Sequence, residues 1–352
     1  MVRPMVYNKK EGVARLNQLA QNENPWFFMV DYPANRWFVI PLDQLDVWNI
    51  SYRVQSPIIP PNWSQSLLLP AESSKEFNKP VSLESAILPS LAVYRKAFNL
   101  VQNEEKKGNS FLCNLTFGSD VQLRNGTLFD AFKISRGLCN LYVGDQRITH
   151  SPFVVFSPER FIRITDSVIE SCPMKGTIEY DDPDKDTQIL AELLQDSKED
   201  AEHRTIVDLI RNDLGIVSSR VWVESYRYGQ KIILPNKYLW TTSSTIKGQL
   251  SDSWRKEFGD ILNALLPAGS ITGAPKKETC RIISDAEIEP RGFYTGVAGL
   301  GGPWGVESWV LIRFLEQQEK TYKFRSGGGI TIYSELEKEY KELEAKIGIP
   351  RD

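Results

Sequence analysis

Lys175 stands in a segment that favours a nucleophilic lysine, Cys172-Pro173-Met174-Lys175-Gly176-Thr177. A proline-led apolar approach and a small turn residue can hold such a side chain rigidly and partly away from water. Desolvation disfavours an ammonium, so it lowers the pKa of a lysine from about 10.4 toward the range of a nucleophile. A lone lysine beside a turn is more often solvated. The segment therefore predicts a candidate nucleophile with a lowered pKa.

Glu159 is the candidate proton donor. It follows a strand-like apolar run in Ser157-Pro158-Glu159-Arg160-Phe161, so its carboxyl group could point from the end of a strand into a cleft. A carboxylic acid in that position can act as a general acid. A salt bridge with Arg160 or Arg163 at the strand end is the simpler alternative.

Two Glu-x-x-Glu pairs form a candidate metal site. Glu199 and Glu202 lie three residues apart on one predicted helix, and Glu339 and Glu342 lie three apart on the last one. This spacing places both members of a pair on one helix face. Two such faces brought together present four carboxylates, and Mg²⁺ prefers oxygen ligands. Two solvated acidic faces are the alternative.

The glycine-rich segment Pro267–Lys276 reads PAGSITGAPK. Its glycines allow backbone N–H groups to turn inward, and Pro275 is well placed to open a helix whose N-terminus attracts anions. The glycine spacing does not match a nucleotide-binding P-loop, so the segment favours a cradle for a carboxylate. The candidate binding residues are Ser270, Thr272, Gly273, Ala274, Pro275 and Lys276.

Arg313 and the glycines 327–329 complete the candidate binding groups. Arg313 lies in a predicted strand and could hold a carboxylate through two parallel hydrogen bonds. The run Gly327-Gly328-Gly329 predicts a turn where backbone donors approach a ligand closely. A strand salt bridge and a plain hairpin turn are the alternatives.

Composition restricts the remaining chemistry. The net charge is −3 from 42 basic and 45 acidic residues, so no basic field would attract nucleic acid or an anionic membrane. No stretch approaches the roughly 20 apolar residues that span a bilayer, and the N-terminal residues lack the apolar core of a signal peptide. Four scattered cysteines suggest free thiols in a reducing cytosol. Two histidines make a zinc site or a histidine-based triad unfavourable.

Strand-like runs outnumber helical ones along the chain. We expect strands within 26–58, 111–117, 141–149, 153–165, 217–225 and near 231–247, and again in the segments GVAGLGG, SWVLIRFLE and TYKFRSGGGITI. We expect helices over 82–105, over 186–214 with Gly215 at its end, before Pro267, from about 275, and from near Ser334. Residues 59–80 predict an exposed loop. Adjoining strands without intervening helices favour an α+β fold with antiparallel sheets.

Several long motifs occur together and in one order: SPERF, PMKGT, AEHRTIVDLIRNDLG, PAGSITGAPK, RGFYTGVAG, the IR of VLIRF, and SGGGI. In these motifs the chain resembles the chorismate-binding enzyme family. The resemblance covers residues 105–346, with a fainter N-terminal part over 1–104. It implies one catalytic domain over 1–352, built as a layered α/β/β/α sandwich of antiparallel sheets with outer helices and a central cleft.

The resemblance also implies roles for the candidate residues. Within the family, a lysine in PMKGT is typical of aminodeoxychorismate synthases, where it is the proposed nucleophile on ring C2 of chorismate, and Glu159 matches the proposed acid for loss of the C4 hydroxyl. Glu202 and Glu342 would bind Mg²⁺ directly, with Glu199 and Glu339 acting through water. Arg313 would hold the enolpyruvyl carboxylate. The ring carboxylate would meet the metal, Lys346 and the amides of Gly327–Gly329.

The implied product is 4-amino-4-deoxychorismate, a precursor of 4-aminobenzoate and folate, and the implied location is the cytoplasm. Cys139 lacks the surroundings of a glutaminase nucleophile, so ammonia is expected from a separate glutamine amidotransferase subunit. Relatives often carry histidine where this chain has Thr241, and tyrosine where it has Leu300, and the segment 130–155 is short. An anthranilate, isochorismate or salicylate synthase and a non-catalytic chorismate-binding paralogue remain as alternatives.

Overall fold

Two antiparallel sheets and eight helices make up the residues that the structure, a computed structural model, describes: 6–67, 80–234, 237–319 and 321–350. The helices are α1 Lys9–Ala20, α2 Leu91–Lys106, α3 Leu128–Ile134, α4 Asp186–Gln195, α5 Ser197–Val217, α6 Phe258–Leu265, α7 Lys276–Ala286 and α8 Leu336–Ala345. The first strands are β1 Val6–Asn8, β2 Trp26–Tyr32, β3 Arg36–Pro41, β4 Ile50–Val54, β5 Gln65–Ser66, β6 Ser82–Ile87, β7 Leu112–Arg124, β8 Cys139–Val143, β9 Phe153–Ser157 and β10 Arg160–Thr165. The others are β11 Val168–Ser171, β12 Met174–Tyr180, β13 Arg220–Leu234, β14 Lys237–Gln249, β15 Gly273–Ala274, β16 Gly292–Gly302, β17 Gly305–Val310, β18 Phe314–Gln317 and β19 Tyr322–Ile330.

The strands alternate little with helices along the chain and pair across long distances. The first sheet has the order β1-β3-β2-β16-β17-β10-β11-β14-β12, with β13 paired to β14. The second has the order β15-β7-β19-β18-β9-β8-β4-β5, with β6 paired to β7. The N-terminal 104 residues contribute strands to both sheets. The predicted α+β class with antiparallel sheets is confirmed.

Period-two alternation along the strands builds the layers. On β2, Phe27 and Met29 pack between the two sheets, while Phe28 and Val30 pack against the helices α1, α5 and α6 on the other face. Helices α2, α7 and α8 pack on the outer face of the second sheet around Leu115 of β7. The layer order is therefore helix, sheet, sheet, helix, as the resemblance implies.

Two neighbouring crossings between the sheets position candidate site residues. The chain passes from β9 in the second sheet to β10 in the first through Pro158 and Glu159, and it passes back from β17 to β18 through residues 311–313. The crossings are tied together, because Val310 N donates to Glu159 O at 3.2 Å and Phe156 N donates to Arg313 O at 3.1 Å. Glu159 and Arg313 therefore lie where the sheets part.

Some expected elements are corrected. The predicted helix over 82–105 is wrong at its start, because residues 82–87 form β6 along β7 and the helix begins only after the cap of Ser90 on Val93 N. The predicted helix over 186–214 is interrupted at Asp196, and Gly215 lies inside α5 rather than at its end. Of the predicted loop, residues 68–79 lie outside the described ranges. No described helix has both the length and the apolar character needed to cross a membrane.

Candidate active site

Lys175 contacts the acidic face of α5. It lies near the start of β12, and its Nζ is 2.8 Å from Oε2 of Glu202. Both side chains are partly buried, with 31% and 22% of their surfaces exposed. The pairing joins the candidate nucleophile to one of the candidate metal ligands.

The predicted lowering of the Lys175 pKa is wrong. Burial does lower the pKa of Lys175, but the charges of Glu202, Glu199 and Glu342 and the hydrogen bond to Glu202 together raise it above its ordinary value. The prediction considered desolvation alone, because sequence does not reveal how many carboxylates converge on one amine. The ammonium form is therefore favoured while these carboxylates are not neutralised by another cation.

The four glutamates converge on this region from two helices distant in sequence. A Cβ placed on Gly176 would lie 2.8 Å from Oε2 of Glu199, and one placed on Gly328 would lie 3.4 Å from Oε2 of Glu339 and 3.9 Å from Oε1 of Glu342. Burial, together with the charge of Glu342, raises the pKa of Glu339, although Ser334 donates to it at 2.8 Å. The carboxylates thus face glycine-containing strands of both sheets.

These residues fit Mg²⁺ in their chemistry. The ammonium of Lys175 interacts electrostatically with all four carboxylates, so the region already favours a cation. Carboxylate oxygens are also the ligands that Mg²⁺ prefers. Within the described ranges no three acidic, histidine or cysteine side chains are grouped closely enough to hold a metal ion as they stand. Magnesium binding therefore stays a prediction.

Glu159 receives a hydrogen bond from the glycine-rich loop. Oγ of Ser270 donates to Oε1 of Glu159 at 2.5 Å. Burial raises the pKa of Glu159, while the Ser270 hydrogen bond and the charge of Lys346 act against burial without outweighing it. A carboxyl group that keeps its proton to higher pH suits the role of a general acid.

Lys346 interacts both with Glu159, through its charge, and with the candidate metal ligand Glu342. Its Nζ lies 2.8 Å from Oε1 of Glu342 and donates to the carbonyl oxygen of Gly327 at 2.6 Å. The predicted turn at Gly327–Gly329 is wrong, because these glycines lie within β19 and pair with Asn114–Thr116 of β7. Without a Cβ, Gly328 leaves open the space in front of α8.

Arg313 does not lie in a strand, contrary to the prediction. It occupies the crossing between β17 and β18 with φ of 53°, in the left-handed region. The residue is exposed by its surface area, but the surrounding protein desolvates its guanidinium group and lowers its pKa, and none of the described residues forms an ion pair with it. Such a backbone conformation in a non-glycine residue is costly and is found often at functional sites. The guanidinium remains available for an anionic ligand.

Most of the predicted binding loop is engaged within the protein. Nζ of Lys276 lies 2.8 Å from Oδ1 of Asp213 and 2.9 Å from the carbonyl oxygen of Leu265. Thr272 is fully buried and donates to Ala268 O.

Gly273, at φ of 126°, approaches the backbone of Leu112 too closely for any side chain. Ala274 pairs with β7, and Pro275 precedes α7. Of the six predicted residues, Ser270 contacts Glu159.

Sequence reasoning missed the residues that fix this loop. Asp213 accepts a hydrogen bond from the backbone of Gly269 as well as from Lys276. The buried Arg291 donates to the carbonyl oxygen of Ile271 and pairs with Glu287. Asp213 and Arg291 lie in the segments VDLIRND and RGFYTGVAG, so the motifs could have pointed to them.

Comparison with known proteins assigns the chain to a family. A sequence profile of chorismate binding enzymes matches residues 14–351. The chain belongs to the chorismate-binding enzyme family. A PabA-like protein of Pasteurella multocida, described as uncharacterized, is 40% identical over 338 residues, covering 96% of this chain and 98% of that protein. A PabA-like protein of Haemophilus influenzae, also described as uncharacterized, is 37% identical over 339 residues, covering 96% of each.

A solved structure shares the fold. The protein DhbC of Bacillus anthracis, described as a candidate 2,3-dihydroxybenzoate-specific isochorismate synthase, superposes with a TM-score of 0.68 at 21% identity, covering 96% of this chain and 86% of that chain. Similarity at this identity bears on the architecture alone. The layered sandwich of the family is therefore confirmed, and chorismate is the substrate that family membership implies for the site.

Proposed function

We propose that this chain is an aminodeoxychorismate synthase component I, which converts chorismate and ammonia to 4-amino-4-deoxychorismate and water. The observation that supports this reaction is the position of Lys175, whose amine lies against Glu202 within reach of the charges of three further glutamates. A lysine in this position offers a nucleophile that a simple elimination or hydration would not require.

The proposed reaction has two substitutions. The neutral Nζ of Lys175 bonds to ring C2 of chorismate, both ring double bonds shift, and the C4–O bond breaks. Glu159 gives its proton to the departing hydroxyl, which leaves as water. Ammonia then bonds to C4, the double bonds shift back, and the bond between C2 and Lys175 breaks. The lysine nitrogen is a secondary ammonium in the adduct and leaves as the neutral amine, and the proton that ammonia loses restores Glu159.

The surrounding residues hold an anionic substrate. Arg313 would bind the enolpyruvyl carboxylate, and Lys346 with Gly327–Gly329 would meet the ring carboxylate. Mg²⁺, held by Glu202 and Glu342 directly and by Glu199 and Glu339 through water, would supply positive charge beside that carboxylate. Ser270 donates to the carboxyl group of Glu159 and restricts its orientation.

Ammonia would come from a separate glutamine amidotransferase subunit. A glutaminase site needs a cysteine activated by a histidine. Cys139 is buried in β8, and burial raises the pKa of its thiol. His203 is buried against Ser244, and no hydrogen bond joins a cysteine to a histidine in the described part of the chain. Free ammonia should serve as a weaker substitute.

Product identification tests the proposal. The protein is incubated with chorismate, Mg²⁺ and an ammonium salt, and the product is identified by mass spectrometry and co-elution with standards. We expect 4-amino-4-deoxychorismate. Lys175→Ala and Lys175→Arg should both reduce its formation to background, because arginine preserves the charge beside Glu202 but is not a nucleophile. Glu159→Gln should reduce the rate by about 10²–10⁴-fold.

Other results would reject the proposal. Anthranilate, isochorismate or salicylate as the product would assign a different reaction to the same site. Full activity in Lys175→Ala would exclude the covalent route. Tight chorismate binding without any product, with and without an amidotransferase, would indicate a non-catalytic binding protein.

A further inference from the structure

Four consecutive hydroxyl side chains on β14, Thr241 to Ser244, lie beside the segment that carries Lys175. Each is at most 4% exposed. Thr241 donates to Gly176 O at 2.8 Å, Thr242 donates to Lys175 O at 2.5 Å, and Ser243 donates to Pro173 O at 3.2 Å. Three neighbouring side chains thus bind the backbone of 173–176.

The fourth hydroxyl joins this strand to α5. Oγ of Ser244 lies 2.6 Å from Nε2 of the buried His203 and accepts a hydrogen bond from Arg227 N at 2.8 Å. His203 follows Glu202 directly in sequence. The strand that holds the backbone of Lys175 is therefore also connected to the helix that carries its carboxylate partner.

The backbone at Lys175 is irregular and needs such support. Lys175 pairs with Thr242 and Thr177 pairs with Thr241, so Gly176 is an extra residue in β12. Gly176 has φ of 73°, and a Cβ there would come within 2.8 Å of Glu199. A bulge of this kind redirects the neighbouring side chain and is common beside active sites.

Thr241 and Thr242 act on the bulge from opposite faces of the sheet, because successive side chains of a strand alternate in direction. Thr242 shares its face with Ser244 and with its pairing partner Lys175, and α5 covers this face, because Lys175 contacts Glu202 and Ser244 contacts His203. The two threonines therefore bind the carbonyl groups of Lys175 and Gly176, one from each side.

We propose that Thr241 and Thr242 are positioning residues, whose hydroxyl groups fix the bulge at Gly176 so that the amine of Lys175 is directed at the carboxylates of α5. The inference rests on the proposed function, in which that amine is the nucleophile. Neither threonine contacts the substrate in this role. They act through the backbone of Lys175 and Gly176.

The double variant Thr241→Val/Thr242→Val tests this role, since valine keeps the shape and removes both hydroxyls. We expect kcat for chorismate amination to fall about 10- to 100-fold, because small displacements of a reacting group are costly, with KM little changed. Thr241→Ser/Thr242→Ser should restore most of the rate. Thr245→Val is the matched control, because its hydroxyl contacts Tyr228 and Cys172 instead.

A second readout does not depend on turnover. The rate at which an amine-specific reagent modifies Lys175 is followed by mass spectrometry. Lys247 of β14, which pairs with Glu224 of β13, is the internal reference. Because its amine is partly buried against α5 in the parental protein, Lys175 should become more accessible and react faster relative to Lys247 in the valine double variant, and react at the parental rate in Thr245→Val. If the double variant does not fold, Thr242→Val alone is measured in the same way.

The outcomes separate the two proposals. Activity in Lys175→Ala would overturn the proposed function itself. If Lys175→Ala is inactive while the valine double variant retains the parental kcat and Lys175 reactivity, the positioning role is overturned and the proposed function stands. A loss of activity that the serine double variant does not restore would also overturn it, since serine supplies the same donors.

Discussion

The carboxyl group of Glu159 is subject to opposing influences. Burial favours its neutral form and raises its pKa, whereas the hydroxyl of Ser270 and the charge of Lys346 favour the carboxylate. Because Ser270 donates to Oε1 at 2.5 Å, this one hydroxyl adjusts the pH range in which Glu159 can give up a proton.

Replacing Ser270 should shift the pH profile in a defined direction. Loss of the donor in Ser270→Ala removes a contact that favours the charged form, so the pKa of Glu159 rises further. If Glu159 acts as an acid, the rate falls as pH rises through its pKa, and the alkaline limb of the kcat profile should move to higher pH. Ser270→Thr keeps a hydroxyl and should leave the limb in place. A limb that moves to lower pH, or not at all, would remove Glu159 from this role.

At the residue scale, the types of the site residues could be predicted from sequence, but not their electrostatic environment. Lys175, Glu159 and the four glutamates stand in motifs that mark them. The pKa of Lys175 depends on carboxylates 27 and 167 positions later, and only the folded chain places Glu202 and Glu342 around it. The same limit applies to Lys276, which we predicted to bind a ligand but which forms an ion pair with Asp213 in the folded chain.

At the scale of elements, α5 and α8 approach Lys175 from two distant parts of the sequence. Glu202, Glu199 and Glu342 on these helices raise the pKa of its ammonium, so a divalent cation that binds them should have the reverse effect. We expect Mg²⁺ to increase the rate at which an amine-specific reagent modifies Lys175 at a fixed pH near 8, relative to Lys247, because neutralised carboxylates no longer favour the ammonium.

Matched variants identify the helix faces responsible. Glu202→Gln and Glu342→Gln should weaken the response of Lys175 to Mg²⁺, while Glu224→Gln, beside the reference Lys247, should preserve it. Labelling that is unchanged by Mg²⁺ in the parental protein would show that the two acidic helices do not hold the ion next to Lys175. The measurement requires no turnover, so it tests metal binding separately from the reaction.

Elements with a clear local signal were predictable, and those decided by long-range pairing were not. The continuous apolar runs of β2 and β9 and the turns around them identify strands directly. Residues 82–87 contain no such apolar run, and their strand forms because Leu83 pairs with Leu123 of β7. Likewise, the three glycines 327–329 suggest a turn when viewed alone. In the folded chain they pair with β7, so strand β19 continues through them.

At the scale of the whole molecule, each of the two sheets contains strands from the N-terminal and from the C-terminal part of the chain. The layered architecture followed from the family motifs rather than from the pattern of strands, because pairings such as β2 with β16 join residues about 270 positions apart, as Phe28 with Gly299. The N-terminal strands, where the motifs are faint, complete the sheet that carries Lys175.

The packing of outer helices on these sheets encloses a carboxyl group that the proposed reaction does not use. Glu105, near the end of α2, is 6% exposed, and neither carboxylate oxygen has a hydrogen-bond partner among the described residues. Burial raises its pKa to about 8. The folded state therefore holds a proton on Glu105 that the unfolded chain releases above its ordinary pKa.

The stability of the whole molecule should consequently fall as pH rises from about 5 to 8, since the unfolded state binds fewer protons in this interval. Glu105→Met, which replaces the carboxyl group with an apolar side chain of similar length, should flatten this slope and raise the free energy of unfolding at pH 8 by a few kcal/mol, on the order set by 1.36 kcal/mol per pKa unit. The adjacent Glu104 pairs with Lys107 and Arg281, which lower its pKa to about 2, so Glu104→Gln should leave the slope between pH 5 and 8 unchanged. Thermal or urea unfolding at several pH values measures the slopes. Parallel slopes in the parental protein and in Glu105→Met would show that Glu105 is ionised in the folded state.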